Sequence, residues 1–174
     1  MCSSDLPVLP SSTILLEVFG FNRRPRGGED ASERHIVFRG HRTAHFVFGR
    51  ERDTVVAAGR RILPKAEDEA TARKCLELLS GRRHRVLSAI ALRAPDGAIR
   101  ERLSETVVMF KRLSSAEIDA YLASGEWEGK AGGYAIQGIA EGLISRIQGS
   151  HSGVVGLPLY ETRTLLRAAG FDIA

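Results

Sequence analysis

The chain is predicted to fold as an α/β protein whose strands pair antiparallel, not as a simple doubly wound array, and three observations carry that expectation. Residues 86–92 form a strand apolar on nearly both faces, and Pro95-Asp96-Gly97 turns it into a second apolar strand through 106–110, so the two read as a long central hairpin. Three segments with helical spacing, 66–80, 114–124 and 158–169, lie after strand-like runs. Gly81, Gly125 and Gly170 stand where each of these helices would stop. With 174 residues, 43% of them hydrophobic and 26% charged, the chain is sized for one domain with a proper core.

Taken in order from Asp53, residues 54–63 are β-branched and apolar around Gly59, which predicts two short extended segments meeting at a turn. The helix over 66–80 carries Glu67, Asp68 and Glu69 in its first turn, Arg73 and Lys74 later, and Ala72, Cys75, Leu76 and Leu79 on one face. After the hairpin, Ser114 and Glu117 have capping-box spacing, and Ile118, Tyr121 and Leu122 share a face. Residues 143–147 read as a further strand. Pro158 sits where a first helical residue is favoured, and Thr162, Leu165, Leu166 and Ala169 form an inward stripe.

The first 52 residues differ. Residues 13–21 are the most apolar run there, but Glu17 interrupts it, it is too short to span a bilayer, and no basic region precedes it, so neither a signal peptide nor a membrane anchor is expected. Residues 22–52 are crowded with Arg, Gly and His, and only pieces such as 35–38 and 46–48 look extended. The predicted organisation is an unassigned segment, 1–52, followed by a domain over 53–174.

The formal charge of +4 and pI near 9.4 come from arginine-rich stretches and favour an anionic ligand such as a phosphate without singling out nucleic acid, which is not expected as a partner. Cys2 and Cys75 form neither a disulfide framework nor a CxxC spacing, which makes a reducing cytoplasm the natural compartment.

Three side chains stand out. Asp53 opens an apolar strand, where a carboxylate can face a pocket and deprotonate water or hold a metal; a turn aspartate at a strand start is the structural alternative. Lys65 follows Pro64 at the mouth of a helix, where an ammonium and helix-terminal amides can hold a polyphosphate; a solvated lysine is the alternative. Gln137 lies in the glycine-rich loop Lys130-Ala131-Gly132-Gly133-Tyr134-Ala135-Ile136-Gln137-Gly138 and offers the donor and acceptor that reading a nucleobase edge requires; a buried loop-fixing glutamine is the alternative. A loop so short of side chains suits close backbone approach to a ligand. Residues 125–130 are one residue short of a Walker A loop, the residue after His41 is not the glutamate of a zinc protease, and no Gly-x-Ser-x-Gly elbow exists.

Two stretches, DTVVAAGRRILPKAEDEA at 53–70 and GEWEGKAGGYAIQGIAEGLISRIQGSHSGVVGLP at 125–158, together resemble the Maf family of nucleoside triphosphate pyrophosphatases. The likeness implies a twisted mixed β-sheet flanked by helices, of the Maf and inosine-triphosphatase architecture, with a cleft across it. It implies hydrolysis of a nucleoside triphosphate between the α and β phosphates with Mg²⁺ or Mn²⁺, and a homodimer. Asp53 then occupies the catalytic acid-base position and is a possible metal ligand, Thr54 and Gln137 occupy substrate-selecting positions, and Lys65 corresponds to a phosphate-binding lysine. Lys130 and Tyr134 would order the loop. Here the order Leu63-Pro64-Lys65-Ala66 replaces the family's Gly-Lys-Pro turn, and Gly153 stands where an asparagine is usual, which lowers the expected activity. Residues 1–52 carry no such likeness: Asn22-Arg23-Arg24-Pro25-Arg26 echoes the family's phosphate loop without its serines. Two other readings are a noncatalytic nucleotide-binding or regulatory domain, and a scaffold with a basic nucleic-acid-binding arm at 22–52.

Overall fold

The computed structural model describes residues 13–19, 32–37, 43–48, 54–93, 98–171 and 173. The described strands form one mixed sheet around β6 (Arg83–Arg93). The strand β7 (Ile99–Phe110) runs antiparallel along the whole of one edge of β6, from Arg83 opposite Met109 to Arg93 opposite Ile99. On the other edge two strands follow one another. Residues 85–88 pair with β4 (Thr54–Ala58), and residues 89–93 pair with β1 (Thr13–Phe19).

Beyond β1 lies β3 (Thr43–Phe48), parallel to it, and then β2 (Ser32–Val37), antiparallel to β3. These three strands fall in the segment to which sequence patterning assigns no fold. Pairing with a neighbour, not local periodicity, makes them strands, and β2 and β3 overlap the short extended pieces seen there. The sheet continues through β5 (Arg61–Leu63), which forms a hairpin with β4 across Gly59 at φ 61°. At the far edge β8 (Ile144–Gln148) pairs with β7. The expected mixed sheet is present; the turn at 95–97 lies outside the described residues.

The helix α1 (Glu69–Leu79) is shorter at its start than the pattern predicts, because the Asp68 carboxylate accepts from Thr71 N at 2.7 Å and caps it there. Its buried residues are the predicted stripe, Ala72, Cys75, Leu76 and Leu79, and Gly81 follows at φ 67°. In α2 (Ser115–Ala123) the capping box is complete, with Ser114 N donating to Glu117 Oε2 at 2.9 Å. A short helix, α3 (His151–Val155), is capped by Ser150. In α4 (Leu159–Ala168) Pro158 is the capping residue rather than the first helical one, its carbonyl accepting from Thr162 N at 2.9 Å. β7 begins well before residue 106: its first residues, 99–103, are exposed and carry no apolar period, and the ladder to β6 holds them as a strand.

Alternate residues of β6 divide the interior. His84 and Val86 are buried, Val86 within a cluster that includes Leu76, Phe110, Tyr121 and Trp127, whereas Ile90 and Leu92 join Leu165, Leu166 and Phe171 of the α4 side. Between them, on the same face, sits Ser88, 2% exposed.

Candidate active-site cleft

A cleft of about 280 Å³ opens where β4, the turn after β5, the loop 129–137 and α3 meet. Thr54, Lys65, Lys130, Tyr134 and Gln137 line it over a floor that includes Val56, Val86 and Val154. Three residues singled out from sequence, Thr54, Lys65 and Gln137, are thus brought together, the last from a loop far along the chain from the other two. The fourth, Asp53, lies outside the described residues.

The wall of the cleft is a short backbone zipper. Gly129 N donates to Ala66 O at 2.8 Å, Ala66 N to Lys130 O at 3.0 Å, and Gly132 N to Pro64 O at 3.0 Å, with Lys65 bridged antiparallel to Ala131. Pro64 has no N–H to give, but its carbonyl is the acceptor here, so the Pro64-Lys65 order serves the pairing. Lys65 and Lys130 are held half-buried in one wall as a result. Among the described residues neither forms an ion pair, and no carboxylate belongs to the described lining.

The glycines of the loop divide into two kinds. A Cβ on Gly132 would come within 2.9 Å of Val56 Cγ1, and one on Gly133 within 3.1 Å of Ala72 Cα, so these two let the loop lie on β4 and α1. Gly129 lines the cleft and a Cβ there would meet nothing within 4 Å, which leaves it as the position open to close ligand approach. The loop's density of glycine is therefore chiefly a packing device.

Its aromatic anchor is Tyr134, whose hydroxyl lies 2.7 Å from His84 Nε2 while its ring meets Phe110 edge-on at 5.0 Å. Burial raises the Tyr134 phenol and pushes His84 down to about 4. Tyr121 Oη accepts from Ala135 N at 3.0 Å, and burial pushes that phenol up to about 12. Glu126 Oε2 accepts from Ile139 N at 2.7 Å and closes the far end. Gln137, exposed at the end of this rigid loop, makes no hydrogen bond to the described residues, so the loop-fixing alternative is not realised.

Sequence reasoning misses His84 and Ser88. Ser88 interrupts an apolar run, and that interruption was the available signal; His84 stands between Arg83 and Arg85 and gives none. It also misses the fit of Gly153: a Cβ there would come within 3.1 Å of Ser104 Oγ, so glycine suits the packing of α3. Among the described residues no group of three or more His, Cys, Asp or Glu could hold a metal ion. The described lining, cationic and neutral, does not make a metal site.

The model of the Maf-like protein family matches residues 31–169. The chain belongs to that family. The match of this Maf-like chain begins at 31, inside the stretch where sequence reading finds no likeness. Proteins named dTTP/UTP pyrophosphatase are similar to it: one from Novosphingobium aromaticivorans is 74% identical over 121 residues, 70% of this chain and 60% of the relative. Others from Paramagnetospirillum magneticum and Caulobacter vibrioides are 69% and 64% identical, each over 68% of this chain and over 63% and 62% of their own lengths. The Maf-like chain spans about three fifths of the length of these curated relatives. Among its described residues no helix is long and apolar enough to cross a membrane.

Proposed function

We propose that this chain hydrolyses uridine and thymidine triphosphates to the monophosphate and pyrophosphate. The observation that carries the reading is the pairing of two lysines, free of ion pairs to described residues, with a hydroxyl and an unpartnered amide in one cleft. Lys65 and Lys130 bind the triphosphate oxygens; Thr54 and Gln137 meet the base. Asp53, placed by family resemblance, takes a proton from water, whose oxygen bonds to the α-phosphorus as the bond to the β-phosphate oxygen breaks and pyrophosphate leaves. Support for the substrate comes from the names of the relatives.

The divalent metal that the resemblance implies has no complete ligand set among the described residues. A cytoplasmic setting suits the buried, unpaired Cys75, whose thiol burial pushes up, and a homodimer follows from family resemblance.

The test is pyrophosphate release by the full chain with Mg²⁺ across dTTP, UTP, CTP, ATP, GTP and 7-methyl-GTP. Release is expected with dTTP and UTP, and Asp53→Asn should lower it by about a hundredfold to ten-thousandfold. Nucleotide binding with no turnover by the folded chain would overturn the catalytic reading.

A further inference from the structure

We infer that Ser88 is a positioning residue that makes the Thr54 hydroxyl an acceptor-only group toward the cleft, so that the site selects bases presenting an N–H there. The inference rests on the nucleotide-binding reading above and adds to it a residue behind the cleft wall.

Each of the two hydroxyls has one proton to give. Ser88 Oγ lies 2.6 Å from the carbonyl oxygen of Gly153, which can only accept, so the single hydroxyl proton of Ser88 points there. Thr54 Oγ1 lies 3.2 Å from the same Ser88 Oγ, and since Ser88 has no second proton, Thr54 must be the donor of that bond. Its own single proton is thereby turned away from the cleft that Thr54 lines. What Thr54 shows a ligand is lone pairs. Ser88 is 2% exposed and is held at one end by the ladder pairing of Thr54 with Ser88 and at the other by α3, so solvent cannot offer the proton another partner.

Gln137 adds an amide with both donor and acceptor to the same cleft. An acceptor beside a donor matches the uracil or thymine edge, where the N3–H stands between two carbonyl oxygens. Cytosine in the same pose sets its bare N3 against the Thr54 lone pairs, and two acceptors face each other with no proton between them. Discrimination against such a mismatch arises from an unpaired polar contact rather than from size.

The experiment is titration calorimetry of UMP and CMP on the full chain and on Ser88→Ala and Ser88→Cys, with circular dichroism to confirm folding. Monophosphates keep the readout independent of turnover. The native chain should prefer UMP. In Ser88→Ala the Thr54 hydroxyl is free to rotate and donate, so the UMP-to-CMP affinity ratio should fall about tenfold, with part of the change a gain in CMP affinity. A residue that merely supports α3 would weaken both ligands together and leave the ratio alone. Ser88→Cys, which fills the space with a weak donor, should fall between the two, and it decides the matter if the alanine variant does not fold. A ratio within about twofold of the native one in the folded variants, or a native chain with no UMP preference, overturns the inference. Failed pyrophosphate release from UTP with the ratio shift intact would refute the catalytic reading alone.

Discussion

Protonating His84 should destabilise this fold over a defined pH window. The imidazole is 2% exposed, its Nε2 lies 2.7 Å from the Tyr134 hydroxyl, its ring stacks on Phe110, and Nδ1 has no partner among the described residues. A charge there has no counterion nearby in the described core, and burial lowers the group from 6.5 to about 4. Because the folded value lies below the unfolded one, the unfolded chain binds more protons between these two values. Stability is therefore complete above the unfolded value and is lost as pH falls through it toward the folded one. Between pH 7 and pH 5 the two values imply a loss of about 2 kcal/mol from this residue. Urea denaturation of the native chain and of His84→Gln at both pH values measures it. The variant will be less stable throughout, but its change between the two pH values should be smaller by about 2 kcal/mol. Equal changes in both proteins would refute the buried, neutral imidazole, and with it the account of how Tyr134 is held in the cleft.

Lys65→Ala and Lys130→Ala should each weaken nucleotide affinity by roughly 1.5–3 kcal/mol if they bind phosphate, seen as a raised Michaelis constant for UTP; unchanged kinetics would return the lysine to the solvated surface. Gly132→Ala combines a φ of 70° with a Cβ at 2.9 Å from Val56 Cγ1, and should cost about 2–4 kcal/mol in thermal or urea melts while loosening nucleotide binding. Gly59→Ala, at φ 61° with nothing within 4 Å, should cost only about 1–2 kcal/mol and leave binding intact; equal losses would show that the Val56 contact is immaterial. Ser114→Ala removes the cap of α2 and should lower stability by about 1 kcal/mol without altering nucleotide affinity, both readable by melting with and without UMP.

Much of this molecule is written locally. The stripe of α1, the capping box of α2, the hairpin at Gly59 and the stop at Gly81 depend on side chains and backbone angles within a few residues of one another, so periodicity and turn chemistry suffice to find them. The motif residues Thr54, Lys65 and Gln137 were also visible, although which of them would share a cleft was not. Local reasoning failed where a partner strand decides the outcome: the exposed residues 99–103 of β7 have no apolar period, and β2 and β3 are strands by virtue of a neighbour supplied from elsewhere.

Sequence by itself therefore determined the helices α1, α2 and α4, the glycines that follow them and the chemical character of the candidate site, because those follow from short-range sterics, capping and residue type. Only the tertiary structure decided that the 129–132 loop zips onto 64–66 and sets Lys130 beside Lys65, that Gly132 and Gly133 serve packing, and that Ser88 Oγ lies within reach of both Gly153 O and Thr54 Oγ1. Each of these is a contact between residues far apart in the chain, where hydrogen-bond direction and close approach depend on which surfaces the sheet brings together.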